Sequence, residues 1–421
     1  MNTLLEFWHQ LAARPDFWGF ISIPIVAAVV TWAHVWCALQ MLFYPIEFVG
    51  IRTSLLKRYG IHYPGIGWQG LIPSKARKMA AIVTDRGILK LGSVKEFMVQ
   101  MEPEKVAAVV AQSVADNVVL YTDQVMLERS PVLWENLPQM VKKRVYNHVR
   151  QHVPDIMDKL VSEIIENVDE LVDIRGMICD RIEGDKRLIV RMFQEVGDKE
   201  FAFIVRSSFW IGLVFGFLQM VLFYFLPWHA GLPLYAAVLG LLTNWIALAM
   251  VFRPLHERRF GPWRFQGVFL RRQNEVADRF SEIVAHEVLT VGEFMQTMLT
   301  GPRSDRTRML IRRQLIPLLD SPVVRSLAQV SMGLGGYADL KTTVVDKTAA
   351  IALHPLSGHE FNLDRARRLS RLLSERIRAL SKVEFQDLLR PAFQQDEWIL
   401  LVLGFITGLA AGTIQLFLGF R

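Results

Sequence analysis

Three long stretches of this 421-residue chain contain no Asp, Glu, Lys or Arg: Phe17 to Ile46, Ser207 to Phe252 and Trp398 to Phe420. No other feature limits the fold so strongly. A helix needs roughly 20 apolar residues to cross a bilayer, and the buried core helices of soluble domains rarely stay uncharged that long. The first and last stretches fit one span each. The middle one holds two, because Pro227 to Pro233 (PWHAGLP) interrupts it with a turn composition. The chain therefore reads as all-α, a polytopic membrane protein with four transmembrane helices at about 18–43, 208–226, 233–253 and 398–419. The divisions that follow are transmembrane helix 1 (17–46), a helical section (47–206), helix 2 (207–227), helix 3 (233–253), a second helical section (254–397) and helix 4 (398–420).

Basic residues beside the spans give an orientation. Arg253, Arg258, Arg259, Arg264, Arg271 and Arg272 follow the third span, against Glu257 alone; Arg52, Lys57, Arg58, Lys75, Arg77 and Lys78 follow the first. The positive-inside rule places both long sections in the cytoplasm and the termini and short turn on the other side. The first block is too long, and its flank too weakly basic, for a cleaved signal peptide. Cys37 lies inside a span and Cys179 in a polar region, which suggests no disulfide framework. The net charge of +7 is accounted for by membrane orientation and contact with anionic lipid heads, without nucleic acid.

The chain also repeats itself. WCALQMLFYPI (Trp36 to Ile46) aligns with WIALAMVFRPL (Trp245 to Leu255), and Gln69-Gly70 with Gln266-Gly267, each pair after an aromatic residue. VKEFMVQM from Val94 matches VGEFMQTM from Val291, KEFAFIVR from Lys199 resembles VEFQDLLR from Val383, and WIGLVFGF from Trp210 matches WILLVLGF from Trp398. The common order predicts a tandem, parallel repeat: a span in, a long cytoplasmic section and a span out, twice over, related by an axis along the membrane normal. The two Gln-Gly pairs mark equivalent turns that lead into a helix.

Within the first section, apolar residues recur from Val141 through Val145, Val149, Val153, Ile156, Leu160, Ile164 and Val168 to Leu171. The spacing predicts one long helix at about 3.75 residues per turn, straight or right-handed in winding, kinked at Pro154. Its apolar stripe can pack on its own domain, pack on a neighbouring subunit or wall an apolar groove. In the second section Arg303, Arg306, Arg308, Arg312 and Arg313 cluster on a helix, and Arg365, Arg367, Arg368, Arg371, Arg376 and Arg378 form another cluster. They read as solvated faces or anionic-lipid contacts, since the aromatic interleaving of a nucleic-acid surface is missing. Between them Ser331 to Phe361, rich in Gly and small residues, reads as a loop and a short hairpin.

No catalytic residue, cofactor site or metal site is nominated. There is no phosphate-binding glycine loop and no nucleophile elbow. His286-Glu287 lacks the second histidine of a zinc-protease motif, and His354 and His359 do not share a helical face. The polar candidates lie in the spans: His34, Gln40, Gln219, Thr243, Asn244, Thr407, Thr413 and Gln415. Such groups need a protein or water neighbour in a bilayer, so they either hydrogen-bond between helices or line a path. Gly212 and Gly216, and Gly404 and Gly408 continuing to Gly412, form Gly-x-x-x-Gly packing faces, with Gly216 and Gly404 equivalent in the repeat alignment.

Thr243-Asn244-Trp245-x-Ala247-x-x-Met250-x-Phe252-x-Pro254, followed by an aromatic residue and Gln266-Gly267, resembles the YjiN/YheB-like bacterial membrane proteins, a family of unknown function. In the first copy His34-Val35 stands in place of Thr-Asn. The resemblance implies an integral protein of the bacterial inner membrane and no particular activity. The residues themselves predict a non-enzymatic membrane assembly, a homo-oligomer, that passes or holds a lipid or small solute. The alternative is a membrane-anchored helical scaffold with no conducted substrate.

Overall fold

The computed structural model describes residues 17–51, 66–225, 231–255, 257–260, 263–352, 359–394 and 397–419. These residues are overwhelmingly helical, with two short antiparallel hairpins. They form two compact units, each assembled from separate parts of the chain. Unit 1 comprises Met1–Gly87, Asp185–Val276 and Ile377–Arg421; unit 2 comprises Ile88–Gly184 and Ala277–Arg376. The units thus do not follow the linear division into two sections.

Unit 1 holds four helices long and apolar enough to cross a membrane: Phe17–Phe43, Lys186–Phe225, Leu232–Val251 and Glu397–Phe417. Their outward faces carry large apolar side chains, including Trp18, Trp210, Val214, Phe225, Trp245 and Trp398. Such a surface is stable against hydrocarbon and unfavourable in water. The second helix begins twenty-odd residues before its apolar part, because Lys186 to Arg206 holds no Pro and one Gly to stop it. Of the turn read at Pro227 to Pro233, residues 227–230 lie outside the described residues.

These helices pack closely where side chains are smallest. A Cβ added at Gly216 would stand 2.5 Å from Pro24 Cα, and one at Gly212 would stand 2.8 Å from Thr31 Cβ. On the other pair, a Cβ at Gly408 would meet the Ala236 carbonyl at 2.3 Å, and one at Gly412 would meet Pro233 Cα at 2.7 Å. Both Gly-x-x-x-Gly faces are therefore used within one chain. Gly216 packs on Pro24 and Gly412 on Pro233. Gly404 packs on Gly240 and Asn244 instead.

Each of the first and third helices leads into a hairpin. Val49–Ile51 pairs with Ile66–Trp68, and Arg258–Phe260 with Trp263–Phe265. Each second strand ends at a Gln-Gly pair, followed by a four-residue helix, Leu71–Ser74 or Val268–Arg271. Longer helices follow at Ala76–Val83 and Gln273–Ile283, each running into a π turn, Thr84–Ile88 and Val284–Val288. The helix Lys382–Gln394 packs on this layer within unit 1, with Phe385 stacked on Phe269 at 4.7 Å. Gln273, 5% exposed, ties it together: its Nε2 donates to the carbonyls of Ile377 and Leu380, each at 2.9 Å, and its Oε1 accepts from Lys382 Nζ at 2.7 Å.

Unit 2 is a stack of helices on Gln139–Glu166. The predicted single helix from Val141 to Leu171 is broken at Asn167, whose Nδ2 donates to the Glu163 carbonyl at 2.8 Å. A short helix, Val168–Leu171, resumes the stripe. Asn offers the backbone a competing hydrogen bond at this point, which ends the helix that the apolar spacing alone would continue. Pro154 lies inside the helix without ending it. The acidic end of this element meets the basic helix Ser304–Leu319: Arg306 Nη1 lies 3.1 Å from Glu170 Oε2, and Gln314 Nε2 donates to Glu163 Oε1 at 2.9 Å. The loop and hairpin expected over 331–361 are not observed. Pro322–Ala352 is one helix of 31 residues, and another begins at His359; residues 353–358 lie outside the described residues. Glycine in a helix costs about 1 kcal/mol relative to alanine. Tertiary packing through Tyr337 and Leu340, against Val125, overrides that penalty.

Candidate functional site

Inside the apolar bundle of unit 1, the intramembrane polar groups mostly find partners in the same chain. His34 Nε2 stands 3.1 Å from Asn244 Oδ1, joining the first helix to the third, and Nδ1 stands 3.2 Å from the Val30 carbonyl. Thr243 and Thr407 donate to carbonyls one turn back, Leu239 and Leu403, both at 2.8 Å. Thr413 does the same to Leu409 at 2.7 Å. Gln415 Nε2 is 3.5 Å from Ser22 Oγ, and Gln219 Nε2 is buried with no partner among the described residues. Gln40 is exposed, near the end of its helix. A cavity of about 30 Å³ lies among His34, Thr31, Gln219, Thr243 and Gln415. That is space for about one water molecule. Among the described residues, this cavity gives nothing larger than water room.

The Gln-Gly pairs close the hairpins onto the ends of the apolar helices. Gln69 Nε2 donates to the Ile46 carbonyl at 2.7 Å and the Gly70 N–H to the Pro45 carbonyl at 2.8 Å. Gln266 Nε2 donates to the Leu255 carbonyl at 3.2 Å and the Gly267 N–H to the Pro254 carbonyl at 3.1 Å. Neither glycine has a positive φ; they stand at −52° and −51°. At Gly70 the need is close approach instead, since a Cβ there would lie 2.6 Å from the carbonyl carbon of Phe43. These residues anchor backbone and present no open chemistry.

The space for a ligand is in unit 2. The stripe on Gln139–Glu166 forms one wall of an apolar cavity of about 240 Å³. Other walls come from Pro103–Asp116 through Val106 and Val110, from Val291–Thr300 through Phe294 and Met298, and from Ser304–Leu319 through Ile311 and Leu315. Engineered apolar cavities of roughly 150 Å³ stay dry and take up benzene-sized ligands, so a larger cavity of the same character favours an apolar guest over water. The lining is aliphatic and methionine-rich, which adapts to flexible chains better than to rigid rings. One polar atom on the lining is unsatisfied. Thr307, 2% exposed, has an Oγ1 with no hydrogen-bond partner among the described residues.

Beside Met101 and Val291 lies a second cavity of about 180 Å³, lined also by His286, Thr290, Asn362 and Arg365. Arg365 is 5% exposed, and its Nη2 stands 3.7 Å from Glu102 Oε2; Arg368 Nε stands 3.6 Å from the same oxygen. Burial holds the Arg365 guanidinium below its usual range, with the carboxylates of Glu102 and Asp364 opposing that shift. The Glu102 carboxyl is held low, first by the Lys105 ammonium at 2.8 Å and then, against some desolvation, by Arg368. Glu102 has φ 50°, the one positive φ among non-glycine described residues. No sequence signal marked this second cavity, because Arg365 and Arg368 stand in a cluster that looks like any solvated helix face. The stripe from Val141 did signal the first.

No protein-family model matches the chain, and no solved structure matches it. A UPF0754 protein of Alkalihalophilus pseudofirmus is 27% identical over 128 residues, 30% of this chain. The chain spans about a third of the length of that relative. The likeness supports kinship with bacterial proteins of unknown function and is not specific to the YjiN/YheB-like group.

Proposed function

We propose that this chain is an integral membrane protein that holds a lipid, with the apolar cavity of unit 2 taking an acyl chain and the four apolar helices of unit 1 anchoring the protein in the bilayer. The cavity carries this reading. It holds far more than a water molecule, and it is almost entirely apolar in a chain with four helices long and apolar enough to cross a membrane. A scaffold needs no such space, so the cavity favours the lipid reading over the interaction-protein alternative. The small bundle cavity favours holding over passage through one chain's spans. The single-chain bundle supplies partners for His34, Asn244 and Gln415 but leaves Gln219 Nε2 without one among the described residues, so a homo-oligomer that shelters it stays part of the proposal.

The four helices are read as four spans in the bacterial inner membrane, with both hairpins and unit 2 on the cytoplasmic side. The arginine-rich exits at Arg253 and Arg258 support this orientation. The chain is also read as a tandem repeat. In favour stand two hairpins with matching hydrogen bonds, two π turns, and two helix caps at Ser93 and Thr290, each accepting from the N–H of a Glu three residues on.

The test is binding of a neutral pyrene-labelled alkanol to the purified full-length protein in amphipol. Saturable binding is expected, and Ala107→Phe, which fills the cavity from its Pro103–Asp116 wall, should weaken it at least tenfold while the melting transition persists. Absence of saturable binding to the wild type would remove the lipid-holding reading.

A further inference from the structure

One hydroxyl on the wall of the proposed acyl site is not taken up by its own helix. Thr84, Thr243, Thr300 and Thr348 each donate to the carbonyl four residues back, at 2.7–2.8 Å, a common way for a helical threonine to satisfy its hydroxyl. Thr307, in the first turn of Ser304–Leu319, does not. It is 2% exposed, it lines the apolar cavity, and its Oγ1 has no hydrogen-bond partner among the described residues. Two other polar side chains on that lining are already engaged: Lys347 pairs with Glu128 at 3.0 Å, and Thr348 with the Val344 carbonyl. A buried hydroxyl left unbonded is costly, and a guest that bonds it gains over one that does not. Water fits poorly here, because a buried water needs several polar partners and apolar cavities stay dry. The chain around Thr307 sets its place. Arg303 Nη1 donates to the carbonyls of Asp169 at 2.8 Å and Val172 at 3.2 Å, tying the start of the helix to the end of the stripe. From Thr307 the lining runs through Ile311 and Leu315 to Leu319, about 18 Å of helix. A space that long suits a chain, with Thr307 at one end.

We propose that the guest is a neutral oxygenated lipid, a long chain bearing a hydroxyl or carbonyl oxygen that hydrogen-bonds to Thr307 inside the cavity. This rests on the lipid-holding reading and adds the substrate class. The Thr307 hydroxyl can donate to either kind of oxygen and can also accept from an alcohol. A charged end is disfavoured, because burying it without a counter-ion is costly. Lys347, the one basic side chain among the described residues of the lining, is paired with Glu128. A carboxyl end would enter in its protonated form.

The experiment is displacement of the pyrenyl alkanol by hexadecanol and by heptadecane, which carries a methyl in place of the hydroxyl, on the full-length protein in amphipol. The ratio of the two constants is compared between wild type and Thr307→Val, so that partitioning into amphipol cancels. The alcohol should be favoured about fivefold more in wild type, the factor one hydrogen bond supplies. Thr307→Ser should keep that margin. Without ligand, Thr307→Val should melt no lower than wild type, since it replaces an unbonded buried hydroxyl by a methyl of similar shape. A clear loss of stability would reveal a partner within the protein and overturn the assignment. Hexadecyl phosphate, charged at pH 7, should compete at least about tenfold more weakly than hexadecanol; equal or tighter competition would overturn the neutral class. The same alcohol-to-alkane ratio in wild type and Thr307→Val, with saturable binding of the pyrenyl alkanol intact, would overturn the hydroxyl site and leave the acyl cavity standing. Absence of saturable binding to the wild type would remove both.

Discussion

Gly70 illustrates how much depends on one missing methyl. Its N–H closes the first hairpin onto the Pro45 carbonyl while its Cα lies against the backbone of Phe43 and Tyr44. Backbone cannot yield as a side chain would. Gly70→Ala should therefore destabilise unit 1 by about 1–3 kcal/mol, the range for overpacking. Gly184→Ala, at a site with nothing within 4 Å, should be neutral or slightly stabilising. Thermal melts of the two variants in the same detergent check this; equal melting temperatures would contradict it. The sequence marked both Gln-Gly pairs by repetition, but could not show whether a positive φ or close contact made glycine necessary. A second residue-scale expectation concerns Glu275. Hydrogen bonds from Arg272 and Lys199 hold its carboxyl down to about 2. A depressed carboxyl stabilises the fold above its unfolded value of about 4.3 and loses that contribution as pH falls toward the folded value. Glu275→Gln should thus melt below wild type at pH 7, with the gap narrowing once pH drops beneath about 4.3. A gap that stays constant from pH 7 down to about pH 2 would count against this.

Among the elements, the four long apolar helices were the most legible, since a charge-free stretch that long leaves few alternatives. Their pairing was legible only in part. Gly216 and Gly404 share a local sequence pattern, yet Gly216 packs on Pro24 as Gly412 packs on Pro233, because helix contacts follow shape rather than flanking letters. The helix Pro322–Ala352 was hidden by its glycines, and the break at Asn167 by a stripe that continues on both sides. Other joints gave no sequence signal at all. Arg272, one of several arginines after the third span, reaches Glu200 at 2.6 Å, Glu275 at 2.9 Å and Asp198 at 3.3 Å. Glu200 is 2% exposed, and its burial pushes its carboxyl up against the opposing pull of Arg272. Arg272→Met leaves that buried carboxylate unpaired and should cost about 3–5 kcal/mol. Adding Glu200→Leu should recover most of the loss, since an apolar pair can replace a buried ion pair. A double variant as unstable as Arg272→Met alone would show that the pairing is not what matters.

For the whole molecule, the membrane orientation proposed from charge can be tested without reference to function. In a chain with Cys37→Ser and Cys179→Ser, Arg258→Cys should stay unlabelled by an impermeant thiol reagent in intact cells and react once the membrane is opened. Labelling in intact cells would invert the orientation. We propose that the helical unit formed by Ile88–Gly184 and Ala277–Arg376 holds a lipid chain. Its location can be read directly by photo-crosslinking a diazirine-bearing fatty acid to the full-length protein in nanodiscs, followed by peptide mapping. If the four long apolar helices cross the bilayer, they will be labelled in any case. Labelling should also appear at the cavity wall, in peptides covering Val106 to Val110, Val153 to Leu160 and Phe294 to Met298, and should fall in Ala107→Phe. Crosslinks confined to Phe17–Phe43, Lys186–Phe225, Leu232–Phe252 and Glu397–Gly419 would contradict it.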